Sequence, residues 1–196
     1  MKLPGRRGGG GAPVDWLIVG LGNPGAEYKG SPHNIGFEVA ERLNERWGLG
    51  KPKSRYRGLI SEGRTGLGGP RVAILMPQTY MNEAGKSVSP ARGELKVDLD
   101  HVLVVHDEID LPFGDIRPRL GGGLAGHNGL KSLKASLGSP DFRRVRIGVG
   151  RPPTTDPDRV AAYVLGKFRE PRADVEALID AGADAAQRVI EDVTES

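Results

Sequence analysis

The sequence predicts an α/β layer fold, on three observations. Short apolar runs alternate along the chain with segments whose apolar residues recur at helical spacing. The length, 196 residues, suits one domain with a sizeable core. The composition, 37% apolar with 30 glycines and 15 prolines, excludes disorder throughout and describes a loop-rich globular protein. Function is expected in those loops.

Trp16 to Gly20 (WLIVG) is a short apolar strand. The loop LGNPGAEYKGSP leads from it to a helix from about Asn34 to Trp47, with Ile35, Val39, Ala40 and Leu43 at helical spacing. Arg57 to Ser61 and Arg71 to Met76 are strands separated by the turn GRTGLGG, and a weaker helix from about Glu83 should break or kink near Pro90. His101 to His106 (HVLVVH) is the clearest buried strand. Asp115 to Arg119 is a further strand, GGGLAGHNG leads into a helix over Asn128 to Leu137, and Arg143 to Val149 alternates as a strand. A short helix near Asp158 to Leu165 precedes a terminal one with Val175, Leu178, Ile179, Gly182, Ala186 and Ile190 on its packed face and acids on the other. A single domain is expected over residues 16–196, with residues 1–15 as a flexible Gly-rich extension rather than a nucleic-acid-binding tail.

The chain has no cysteine, which excludes disulfides, a thiol nucleophile and Cys-ligated zinc. No apolar stretch approaches the roughly 18 residues that a membrane span needs, and the basic N-terminus lacks a hydrophobic core, so a soluble cytoplasmic protein is expected. The net charge of +3 hides an asymmetry. Beyond residue 169, eight acids face only Arg172 and Arg188, so the rest of the chain is markedly basic, as suits a polyanionic partner.

Four segments carry candidate chemistry. Gly20 to Gly25 (GLGNPG) matches the dinucleotide fingerprint formally, but Gly30 and Pro32 intervene before the helix whose start would bind pyrophosphate, so a loop of another kind is favoured. His33 stands just before a helix, near Asn23 and Asn34. His106, Asp107, Glu108 and Asp110 end the buried strand, which brings a carboxylate to the His33 loop if the two strands are parallel; such a partner would fix the imidazole tautomer and stabilise the imidazolium. A divalent-metal site in HDEID is the weaker reading, because no second acidic cluster has ligand spacing. GGGLAGHNG carries His127 and Asn128, with Asn128 as a possible N-cap, and QTYMNEAGKS carries Asn82. Three amides, Asn23, Asn82 and Asn128, could bind a neutral polar group such as a peptide backbone. Without a G-x-S-x-G elbow or a cysteine, a hydrolase built here would use water activated by histidine. Arg117, Arg119, Arg143, Arg144, Arg146 and Arg151 supply positive charge for phosphate.

At these residues the chain closely resembles bacterial-type peptidyl-tRNA hydrolase, over about residues 16–190 in four ordered blocks: VGLGNPGAEYKGSPHNIGF, PQTYMNEAGKSV, VVHDEIDLPFGDIRPRLGGGLAGHNGLKSL and FRRVRIGVGRP, followed by VAAYVLGKF. The resemblance implies one α/β domain with a mixed sheet wrapped by helices, and hydrolysis of the ester between a peptide and the 3′ ribose of tRNA. It implies His33 as the base that activates water and Asp107 as its partner. Asn23, Asn82 and Asn128 would line the cleft, Tyr28 and Met81, with Tyr80, would shape its apolar part, and Arg119 with Arg144 or Arg146 would clamp tRNA phosphate. A cytoplasmic monomer is implied, with peptidyl-tRNA as partner and with no metal, cofactor or membrane. One departure is Ser31-Pro32, where the family usually has Thr-Arg; proline removes a cation and restrains the loop. The rival readings are a non-catalytic RNA- or protein-binding module and a nucleotide-dependent oxidoreductase.

Overall fold

Four strands lie side by side and parallel at the centre of the protein, three of them apolar runs buried on both faces. In the computed structural model, which describes residues 13–196, these are β1 (Trp16–Gly20), β4 (Arg71–Pro77), β5 (Val102–Glu108) and β7 (Arg143–Gly148). Their neighbours β2 (Lys53–Arg55), β3 (Gly58–Arg64) and β6 (Ile116–Leu120) run antiparallel, giving a mixed seven-stranded sheet of order β2-β3-β4-β1-β5-β7-β6. Strand alternation sorts the core into two layers. Trp16, Ile18, Leu103, Val105, Val145 and Ile147 pack with α1 (Ile35–Trp47) and α5 (Arg172–Thr194). Leu17, Val19, Val102 and Val104 face the opposite way, towards α2 (Gly85–Leu95) and α3 (Asn128–Leu137).

The expected Gly-rich extension lies, through residue 12, outside the described residues. Val14 is already in the core, and Asp15 exchanges two 2.8 Å hydrogen bonds with Arg71, so the domain begins ahead of Trp16. The helix from Gly85 runs through Pro90 without interruption, held by the buried Val88 and Ala91 on either side of it. β2 was not expected: KSR is wholly exposed and has no apolar residue to mark it.

The acidic face of α5 is not wholly turned to solvent. Arg42 of α1 pairs with Glu176 and Asp180, Arg46 pairs with Asp184, and Arg172 reaches Glu38. β1 pairs in parallel with β5, Gly20 opposite Val105, so the loop leaving β1 and the acidic end of β5 emerge at one edge of the sheet. The functional cleft forms at that edge.

Candidate active site

The loop after β1 is shaped by glycines that packing demands. A Cβ on Gly20 would lie 2.3 Å from the Gly36 carbonyl, and one on Gly22 would lie 2.7 Å from the Phe37 ring. These glycines let α1 and its first turn close onto β1, which accounts for the GLGNPG pattern without a cofactor. Two 3₁₀ turns, Ala26–Tyr28 and Pro32–Asn34, then separate the loop from α1. Pro32 opens the second of them, where its fixed φ suits the turn and no N–H is required, so the Ser31-Pro32 departure pre-forms the turn that carries His33. Asn34 locks the loop from behind: its Oδ1 accepts from Asn23 N at 2.8 Å and its Nδ2 donates to Asn23 O at 2.9 Å.

His33 Nδ1 lies 2.9 Å from both carboxylate oxygens of Asp107. His127 Nε2 lies 2.8 Å from Asp107 Oδ1, while its Nδ1 accepts from Gly129 N and Leu130 N at 3.1 and 3.3 Å. Those two backbone N–H groups require an unprotonated Nδ1, so the donor towards Asp107 is Nε2–H. The N-cap of α3 is therefore His127, and Asn128, suggested by sequence for that place, is the first residue of the helix. With Nδ1–H of His33 given to Asp107, the free nitrogen of His33 is Nε2, on the far side of the ring.

Asp107 is almost fully buried, which by itself would raise its pKa; the charges and hydrogen bonds of His33 and His127 overcome this and hold it below the usual carboxylate range. Burial would likewise lower the pKa of His33, but the Asp107 carboxylate outweighs it and raises the imidazole above its ordinary value. His106 is fully buried beside them, donates Nδ1–H to the Asp107 carbonyl at 2.8 Å and packs edge-on against His127. Burial, then the nearby His127, pushes its pKa down to about 3, so it stays neutral. The ligating atoms of His33, Asp107 and His127 lie within 4.8 Å of one another, so a cation could bridge them only by replacing the protons of both hydrogen bonds.

These groups form the floor of a cleft of about 630 Å³. Asn23, Tyr28, Tyr80, Met81, Asn82 and Asn128 line it, so the cleft residues expected from sequence come together. The side-chain oxygen of Asn23 accepts from Met81 N at 2.7 Å, which ties the Met81–Glu83 turn to the β1 loop and leaves the Asn23 amide as donor. Asn82 and Asn128 are exposed at the mouth. Three features escaped the sequence reading: the lock by Asn34, the bond from His127, and a wall made by Val160, Val164 and Leu165 of α4 (Pro157–Leu165), a helix with no buried residue.

The arginines divide. Register places Arg117 opposite Arg146 and Arg119 opposite Arg144, so all four side chains project from one face of the β6–β7 edge. Arg119 is exposed and Arg146 half-buried. Arg144 is 1% exposed, and its guanidinium is spent on the carbonyls of Gly123, Pro140 and Gly122 at 2.6, 2.9 and 3.1 Å. Those bonds hold Arg144 in the fold, whereas Arg119 and Arg146 are the more accessible of the expected phosphate contacts.

Comparison with known proteins identifies the family. A family model described as peptidyl-tRNA hydrolase matches residues 17–196. The chain is 44% identical over 178 residues to peptidyl-tRNA hydrolase of Pseudarthrobacter chlorophenolicus, covering 90% of each chain. It is 49% identical over 172 residues to that of Parvibaculum lavamentivorans, covering 87% of this chain and 82% of the relative. The crystal structure of peptidyl-tRNA hydrolase from Acinetobacter baumannii superimposes with a TM-score of 0.79 at 37% identity, over 93% of this chain and 90% of that one. The chain belongs to the peptidyl-tRNA hydrolase family.

Proposed function

We propose that this protein hydrolyses the ester between a peptidyl, or N-blocked aminoacyl, group and the 3′ ribose of tRNA, with His33 as general base. The observation that carries the reading is the His33–Asp107 pair at the floor of a cleft lined by three amide side chains. His33 Nε2 takes a proton from water as the water oxygen bonds to the ester carbonyl carbon. Asp107 stabilises the imidazolium that results. Donors from Asn128, aided by Asn82, meet the oxyanion. The C–O3′ bond then breaks, and the proton held on His33 passes to the leaving 3′ oxygen. Written this way, the reaction needs no metal or cofactor.

The cleft also favours a blocked amine. Asp107 is engaged by two histidines and is not free for an α-ammonium, and one oxygen of Glu108 accepts from Asp110 N at 3.1 Å. The amides suit peptide N–H and C=O groups instead. Arg119 and Arg146 would hold phosphates of the acceptor end, a contact that weakens as salt rises. The test is release of tRNA from N-acetyl-aminoacyl-tRNA and from the same tRNA with a free α-amine, with and without a chelator. The reading expects cleavage of the blocked substrate alone, indifferent to the chelator. Equal cleavage of both, or loss of activity with the chelator, would count against it.

A further inference from the structure

Arg144 is a buried cation whose hydrogen bonds all go to main-chain carbonyls, those of Gly122 and Gly123 on one segment and of Pro140 on another. Its guanidinium lies 4.7 Å from the centre of the Phe142 ring, which closes its other side. Burying such a group is costly, and the fork of N–H donors is what lets it bind three carbonyls at once. Two of the three carbonyls, those of Gly122 and Gly123, belong to the loop that follows β6, and Pro140 lies between α3 and β7.

Apart from Leu124, which packs on the core, and Arg119, which lies against Gly122, that loop has few contacts to define it. Gly121, Gly122 and Gly126 take positive φ, and Ala125 is held at φ 49°, an unfavourable conformation for a residue with a Cβ. Besides Arg144, Gly121 N bonds to Phe142 O at 3.0 Å and His127 N to Leu124 O at 2.9 Å. The loop ends at His127, whose ring is pinned between the first N–H groups of α3 and the Asp107 carboxylate. A continuous run of bonds thus leads from Arg144 on β7 through the loop backbone to His127, Asp107 and His33.

We propose that Arg144 is a positioning residue for the hydrolysis, fixing the Gly121–His127 loop so that His127 keeps its bond to Asp107 and Asp107 stays aligned with His33. This rests on the reading of His33 and Asp107 as the acid–base pair. Arg144 touches no substrate in this role. Its loss therefore lowers turnover and leaves affinity for the RNA intact, the reverse of a phosphate contact.

The test uses Arg144→Lys, which keeps the charge without the fork, and Arg144→Gln, which keeps two donors without the charge. Steady-state kinetics on N-acetyl-aminoacyl-tRNA at several salt concentrations are compared with wild type, Arg119→Ala and His33→Ala. Proton NMR follows the downfield Nε2–H of His127, identified by its loss in His127→Ser, which retains a hydroxyl to cap α3. Both Arg144 variants should lose about 10- to 100-fold in kcat, the cost of a small misplacement at a reacting pair. KM and the salt slope should stay at wild-type values, and the His127 resonance should weaken or vanish. Wild-type kcat in both variants, with His33→Ala inactive, would overturn the role of Arg144 alone. Raised KM with a shallower salt slope, as for Arg119→Ala, would make Arg144 a phosphate contact instead. Loss of the folded state in both would also contradict the proposal, which confines the damage to one loop. Near-normal turnover by His33→Ala would instead remove the underlying reading.

Discussion

His33 can accept a proton only while it is neutral, and Asp107 sets the pH at which that holds. Burial lowers the pKa of His33 and the adjoining carboxylate raises it more strongly, so the group titrates above the ordinary 6.5. The acid limb of kcat/KM should therefore lie above pH 6.5, and a limb at or below that value would contradict the pairing. Asp107→Asn removes the charge and the tautomer lock together. It should cut kcat by roughly 10² to 10⁴-fold while tRNA affinity holds, as measured by single-turnover rates beside a binding titration. His33, Asp107 and the three asparagines were legible in sequence because each stands in a Gly- or Pro-bearing loop or at the end of a buried strand. His127 was not. Its role comes from a helix start and from a carboxylate far away in the chain, and neither leaves a mark beside it.

At the scale of elements, most of the architecture follows from apolar periodicity, and the exceptions have physical causes. β1, β5 and α3 announce themselves by buried runs or a glycine-rich start, whereas β2 pairs with β3 through backbone alone. The 3₁₀ turns at Pro32–Asn34 and Met81–Glu83 are too short for any period to register, though they carry His33, Met81 and Asn82. Sequence also placed five arginines on two strands without saying which were free. Register puts four of them on one face, but only burial shows that Arg144 is already committed. α4 was expected as a short helix and its use was not, because its apolar residues point into the cleft rather than the core. Truncating that wall with Val160→Ala or Val164→Ala should raise KM for peptidyl substrates by up to about 15-fold in each case, from two carbons lost at about 0.8 kcal/mol apiece. The thermal midpoint should barely move. A midpoint lowered by many degrees with unchanged KM would make α4 a part of the core instead.

Across the whole molecule, two charge distributions have consequences. The cationic β6–β7 face lies in the same chain as the acidic α5, part of whose charge the arginines of α1 already neutralise. Arg119→Ala should therefore weaken tRNA binding and flatten its dependence on salt, and an unchanged slope would remove Arg119 from the contact. The second consequence concerns acid stability. His106 is neutral in the folded protein, with its pKa near 3 against 6.5 for a free imidazole. The unfolded chain thus binds the proton first as pH falls, so the stability this group permits is full above pH 6.5 and is lost towards pH 3. Asp107, whose pKa is depressed, adds to the loss below 3.8, whereas the contribution of His33, whose pKa is raised, is full below 6.5 and is lost only as pH rises above it. His106→Leu should flatten the fall of the thermal midpoint between neutral pH and pH 4, about the range in which the wild type loses this contribution. The proposed hydrolysis depends on one nitrogen, His33 Nε2, being free to take a proton from water. Single-turnover release of tRNA from N-acetyl-aminoacyl-tRNA by wild type and His33→Ala, with tRNA affinity measured in parallel, addresses that most directly. A general base at His33 requires a loss of roughly 10² to 10⁴-fold in rate with affinity preserved. Turnover near that of wild type in His33→Ala would contradict it.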